Sequence, residues 1–268
     1  MTQKSSASSS SDNPEQPQQA PEQSVAKPAR PGKPAKNLYE PYDTPMIFWR
    51  AIRGMAHLIF ALILNVRVVG RQHLSKEGAF ILASNHLSWV DVPLVPAYLK
   101  RKVVYMAKEE VFHSKVGWLI RFMGAFPVKR GEADRQSLRA ADQQLKAGKV
   151  FIIFPEGTRS KIHKLGKAHA GLGMIALRSG VPVVPVAIWG SEHALKKFRP
   201  HVTISFGEPI TLTPKDKKLT REDIEDATDQ VMRRIASMMP PEYRGVYGEE
   251  PSGVEAHVKS GEAPETLQ

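Results

Sequence analysis

The chain predicts an α/β fold: a largely parallel central sheet flanked by helices, preceded by an N-terminal amphipathic, membrane-associated helix. Three observations carry this expectation. Short apolar runs bounded by Gly or Pro recur between residues 65 and 207, the pattern of buried strands. Helix-period stretches alternate with them, as they do when crossovers connect parallel strands. An apolar stretch interrupted by arginine, "MIFWRAIRGMAHLIFALILNV" at 46–66, comes before the first run.

In chain order the strands are "NVRVVG", "AFILAS", "KVVYMA", "AFPVKR", "KVFIIFP", "VPVVPVAIW" and "HVTISFG". Helices are expected after Asp91 and over "SKVGWLIRFMG", "DRQSLRAADQQLKAG", "KAHAGLGMIALRSG" and "REDIEDATDQVMRRIASMMP". Gly148 and Gly180 stand where C-caps belong. No internal repeat is present. Residues 1–45, rich in Ser, Gln, Pro, Lys and Ala, lack an apolar signal core and read as a disordered arm; residues 249–268 read as a disordered tail. Residues 46–248 form one domain.

The 46–66 stretch admits three readings. Its unbroken apolar part, Met55–Leu64, is about half of the roughly 20 residues a membrane span needs. A buried core helix is one alternative. The other is an interfacial helix, with Arg50 and Arg53 near headgroups and Trp49 and Phe60 entering the acyl boundary.

The absence of cysteine removes thiol nucleophiles, thiolate zinc sites and disulfides. The net charge of +11 belongs to the domain, since residues 46–248 hold 32 of the 38 basic and 17 of the 27 acidic residues. Such a surface favours an anionic partner: nucleic acid, anionic lipid or a phosphorylated substrate. No RNP-like aromatic pair, helix-turn-helix or zinc-finger spacing supports nucleic acid.

Two stretches leave strands at their carboxyl ends, where ligands bind in open α/β sheets. "FILASNHLSWVD" runs from a strand into His86 and Asp91. On one continuous helix the two side chains would lie about 140° apart. A strand-to-helix turn instead folds Asp91 back on the ring, fixing its tautomer and leaving the other nitrogen as a general base. The plainer alternative is that Ser88 and Asp91 form a capping box and His86 is an ordinary turn residue. Neither Ser84 nor Ser88 sits in a nucleophile elbow, and no third metal ligand is close in sequence.

"FIIFPEGTRS" ends its strand in a turn built by Pro155 and Gly157 and presents Glu156, Thr158 and Arg159. Arg159 suits bidentate phosphate binding. Arg130 and Lys108 end two other strands. Three cations at strand ends point to a phosphate-bearing ligand, although each alone is equally a solvated charge.

These residues resemble the motifs of the glycerolipid acyltransferases, the lysophosphatidate and glycerol-3-phosphate acyltransferase family. "NHLSWVD" is similar to the first motif, "GAFPVKR" to the end of the second, "FPEGTRS" to the third and "VPVVPV" at 181–186 to the fourth, in that order. The resemblance implies transfer of a fatty acyl group from an acyl-CoA or acyl-carrier-protein thioester to a hydroxyl of a lysophosphatidate-like acceptor. It implies His86 as general base and Asp91 as its orienting partner. Arg130 and Arg159 would hold the acceptor phosphate, with Lys108 a further cation. Glu156, Gly157 and Thr158 would belong to the acceptor pocket, and Pro182 would support the site from behind. No cofactor, metal or nucleic acid is implied, only the thioester co-substrate and membrane lipids, at the cytoplasmic face of the cell membrane. The segment His113–Gly117 departs from the family in lacking a proline before its glycine. Acylation of another acceptor and a non-catalytic lipid-binding role are the competing expectations.

Overall fold

The computed structural model describes residues 41, 44–114, 117–128, 135–216 and 218–248. The expected tail, and all but three residues of the expected arm, lie outside the described residues, as does Arg130. Thr44 is already part of the fold: it is buried, and its hydroxyl donates to the carbonyl of Phe122 at 2.6 Å.

Seven strands form one sheet: β1 (Asn65–Val69), β2 (Phe80–Ser84), β3 (Val103–Lys108), β4 (Ala125–Val128), β5 (Val150–Ile153), β6 (Val183–Trp189) and β7 (His201–Phe206). Their order is β1-β7-β6-β2-β5-β3-β4. Among the described residues, the strands pair in parallel except β6 with β7, and Ile210 adds an antiparallel bridge to Val183. All seven expected strands form, and the sheet is largely parallel. The reversal at β6–β7 turns β7 and β1 against the other five strands. Both therefore start at the edge where β2–β6 end.

The helices are α1 (Met46–Ile63), α2 (Asp91–Ala97), α3 (Glu109–Phe112), α4 (Gly117–Phe122), α5 (Arg135–Lys146), α6 (Gly171–Ser179) and α7 (Arg221–Ser237). They cover both faces of the sheet. β2 is buried throughout, so its alternating side chains feed two cores. Ile81 and Ala83 join the core under α5, α6 and α7; Phe80 and Leu82 join the one under α1 and α2. Gly180 caps α6 in the left-handed conformation at φ 64°, its N–H on the Ala176 carbonyl at 2.9 Å.

Helix α6 starts at Gly171, later than the periodicity of 167–180 predicts. The preceding backbone is committed elsewhere. The Gly166 N–H donates to Glu156 Oε2 at 3.0 Å and the His169 N–H to the Pro155 carbonyl at 2.9 Å.

The core-helix reading of 46–66 does not hold for α1, of which only 11% is buried. Its inward stripe is Trp49, Ile52, Arg53, Ala56 and Phe60, at helical spacing. Trp49 and Phe60, expected in the acyl boundary, face the protein at 5% and 6% exposure. Arg53 lies over the Trp49 ring and reaches the Ala97 carbonyl at the end of α2, so it too turns away from headgroups. The outward face is Ile47, Phe48, Met55, Leu58, Ile59 and Leu62. By length and composition alone, α1 is apolar enough to cross a membrane.

Candidate active site

The site begins where β2 ends. Asn85 is fully buried, and its side-chain amide takes the place of a strand residue. Its Nδ2 donates to the Ile188 carbonyl at 2.8 Å, while its Oδ1 accepts the Ile188 N–H at 2.7 Å. These two bonds satisfy the β6 backbone where β2 leaves it, and they release residue 86 from the sheet.

His86 then sits in the turn with its ring mostly enclosed. Its Nδ1 lies 3.0 Å from Asp91 Oδ2. The same oxygen accepts the N–H groups of Leu87 and Ser88, both at 2.7 Å. An oxygen that already accepts two backbone N–H groups is an acceptor for the third, so Nδ1 carries the ring proton and Nε2 is left unprotonated. Phe154 flanks the ring, with centroids 4.5 Å apart. Asp91 is fully buried at the first position of α2, and its Oδ1 has no hydrogen-bond partner. The capping and orienting roles weighed from the sequence are thus combined in one carboxylate. Ser88 accepts only a long 3.4 Å contact from the Val90 N–H, so no reciprocal capping box forms.

The second stretch is tied directly to the first. β2 and β5 are neighbours. Past their ends, the His86 N–H donates to Glu156 Oε1 at 3.0 Å and the Ser160 N–H to the His86 carbonyl at 2.9 Å. Both backbone groups of His86 are therefore held by the "PEGTRS" turn. Glu156 is buried, and burial pushes its carboxyl up to about 7; the N–H groups of His86 and Gly166 partly offset this, and the nearby Asp91 charge adds to it. The turn closes by a 2.9 Å bond from the Gly157 N–H to the Phe154 carbonyl. Gly157 has φ 64°, and a Cβ there would lie 2.9 Å from the His169 ring.

Thr158 and Arg159 are exposed and, with Glu156, Leu165, Gly166 and His169, line an open crevice of about 650 Å³. The Arg159 guanidinium lies over the Trp89 ring, 4.2 Å from its centroid. It thereby bridges the two stretches while its donors remain available for an anion.

The structure thus gathers His86, Asp91, Glu156, Gly157, Thr158 and Arg159. Lys108 ends β3, two strands from β2, and pairs with Glu110 at 2.8 Å. Pro182 does not reach the crevice. Its carbonyl accepts the Ile81 N–H, and the β2–β6 register sets it at the opposite end of the sheet, roughly 13 Å before the level of Ser84. Sequence reasoning gave no role to Asn85, Trp89, Phe154 or Gly166. Only Asn85 left a signal, as a strongly polar residue just past a mostly apolar strand.

Comparison with known proteins identifies relatives of this chain. Residues 65–189 match the family profile described as Acyltransferase. The 1-acyl-sn-glycerol-3-phosphate acyltransferase of Bacillus subtilis is 29% identical over 184 residues, covering 68% of this chain and 92% of that protein. The lyso-ornithine lipid O-acyltransferase of Pseudomonas aeruginosa is 35% identical over 136 residues, about half of each chain (50% and 51%). The crystal structure of the 1-acyl-sn-glycerophosphate acyltransferase PlsC of Thermotoga maritima superposes with a TM-score of 0.55 at 31% identity, covering 69% of this chain and 77% of that one. This chain belongs to the 1-acyl-sn-glycerol-3-phosphate acyltransferase family, an enzyme family of glycerolipid acyl transfer.

Proposed function

We propose that the enzyme transfers a fatty acyl group from an acyl-CoA or acyl-carrier-protein thioester to the free hydroxyl of 1-acylglycerol-3-phosphate, giving phosphatidate. The observation that carries the reading is the 3.0 Å contact between His86 Nδ1 and Asp91 Oδ2, which leaves Nε2 as the base. Nε2 takes the hydroxyl proton as the alcohol oxygen attacks the thioester carbonyl, and Asp91 stabilises the imidazolium formed. The tetrahedral intermediate collapses by breaking the C–S bond, and the thiolate leaves with the proton returned by the ring. General-base assistance of this kind is worth roughly 10²–10⁴-fold. A thiolate needs little acid help, so positioning and one base suffice.

Arg159 offers the acceptor phosphate a bidentate site, and Arg130 is proposed as its partner. Glu156 acts on His86 through the backbone and is a positioning residue. Lys108 contributes charge to the same face, whereas Pro182 serves the far end of the strand. The crevice requires no cofactor beyond the thioester substrate.

The enzyme works on the cytoplasmic face of the cell membrane, with α1 lying in the interface. The packing of α1 along α2 supports an interfacial rather than a spanning α1: a spanning helix would carry α2, and with it Asp91, into the bilayer. The similarity to a lyso-ornithine lipid acyltransferase favours one second reading, an acceptor without phosphate. Arg159→Ala separates the two. With lysophosphatidate as the acceptor, its KM rises roughly tenfold or more; an unchanged KM transfers the assignment to the phosphate-free acceptor.

A further inference from the structure

The loop between β6 and β7 presents two large apolar side chains to solvent: Leu195 is 78% and Phe198 85% exposed. Lys196 and Lys197 lie between them and, like the adjacent Arg199, form no ion pair among the described residues. The sequence at 195–199 is thus two exposed apolar residues interleaved with three cations.

The loop is firmly held at both ends. Gly190 turns out of β6 at φ 83°, with the His201 carbonyl so close that a Cβ would lie 2.1 Å from its oxygen. Glu192 is buried and accepts the Tyr243 hydroxyl at 2.6 Å. The N–H groups of Lys196 and Lys197 both donate to the His193 carbonyl, at 2.9 and 3.0 Å. At the far end, the Arg199 N–H donates to the carbonyl of Ile63, the last residue of α1, and the Asn65 N–H to the Pro200 carbonyl, each at 3.0 Å. Phe198 therefore stands beside the last turn of α1, where Leu62 is 58% and Ile63 36% exposed.

We propose that the 194–199 loop is a second membrane-contacting element: Leu195 and Phe198 enter an anionic lipid surface beside the end of α1, and Lys196, Lys197 and Arg199 meet its headgroups. The inference rests on the interfacial reading of α1 given above. Two arguments choose the occupant. The exposed apolar side chains are tied by the adjacent backbone to the exposed end of α1, and the flanking cations match the charge of an anionic leaflet. Two attachment points also do what one helix cannot: they fix the rotation of the domain about the α1 axis. Because the loop leaves β6 at the edge where β2 releases His86, that rotation sets how this edge faces the lipid.

The absence of native cysteine permits single labelling sites in the full chain. Phe198→Cys, Met55→Cys and Lys146→Cys variants would each carry an environment-sensitive fluorophore and be mixed with vesicles of phosphatidylcholine and phosphatidylglycerol, or of phosphatidylcholine alone. The expected result is a blue shift at 198 and at 55 with the anionic vesicles and none at 146, a position at the opposite edge of the sheet. In addition, Leu195→Ala/Phe198→Ala should weaken sedimentation with those vesicles by roughly tenfold, with turnover of a monomeric short-chain acceptor unchanged. A shift at 55 without one at 198 overturns the loop proposal and leaves the α1 reading standing; a shift at neither overturns both. A shift at 198 that follows protein concentration without vesicles assigns the loop to a second copy of the chain and also overturns the proposal.

Discussion

Asp91 concentrates three donors on one oxygen, and this decides what substitution there does. Asp91→Asn keeps the shape and retains an acceptor for the Leu87 and Ser88 N–H groups, so the fold should survive. It removes the charge that stabilises the imidazolium and loosens the choice of tautomer. Turnover should fall by roughly 10²–10⁴-fold with little change in thermal midpoint, measured by thiol release and calorimetry on the same sample. Glu156 makes a different prediction. Its carboxyl is raised from 4.5 to about 7, so the folded state binds its proton more tightly than the unfolded state does. The stability this gives is complete below about pH 4.5 and is lost as pH rises through about 7. Denaturation midpoints of the wild type should therefore decline from about pH 5 to pH 8, and Glu156→Gln should remove that decline. Parallel profiles for the two proteins would contradict the account. The pairing of His86 with Asp91 was legible because five residues across a strand-to-helix turn allow few other geometries. The role of Asn85 was not, since it depends on β6, whose Ile188 lies 103 residues away.

The strands were legible one by one, because runs such as "FILA" and "VFII" are apolar at every position and lead into polar turns. Their largely parallel direction followed from the strand–helix alternation, but their neighbours and the reversal of β7 and β1 did not. Pro182 was drawn toward the site by its place in a motif, yet the register sets it just before β6, at the end of the sheet away from His86. Helix α1 illegibly mixes two apolar faces. When both sides of a helix are hydrophobic, periodicity no longer tells which stripe faces the protein, and packing on α2 decides for Trp49, Arg53, Ala56 and Phe60. The two faces should respond differently to truncation. Phe60→Ala removes a buried ring and should cost about 3 kcal/mol or more of stability, read by denaturant titration. Leu58→Ala, on the outward face, should leave stability within about 0.5 kcal/mol and weaken vesicle sedimentation. Equal effects of the two on stability would contradict the assignment of faces.

At the scale of the whole molecule, the antiparallel pairing of β6 with β7 has the widest consequence. It brings the end of α1, the 194–199 loop and the carboxyl ends of β2 and β5 to one edge, so the proposed lipid-facing surface lies at the edge that carries His86. The basic excess, carried by the domain rather than by the terminal segments, adds long-range attraction to an anionic leaflet. Salt should therefore lower turnover of acceptor in anionic vesicles several-fold between low and moderate ionic strength, while a monomeric acceptor should be far less affected. Equal salt sensitivity for the two would place the basic residues' effect in the crevice instead.

His86, held by Asp91, is proposed as the base for transfer to an acceptor hydroxyl. The most direct measurement is thiol release from an acyl thioester, with and without lysophosphatidate, by wild type and His86→Ala. The account predicts release that requires the acceptor in the wild type and falls by roughly 10²-fold or more in the variant, whose fold is unchanged. Acceptor-dependent release by His86→Ala at the wild-type rate would contradict it.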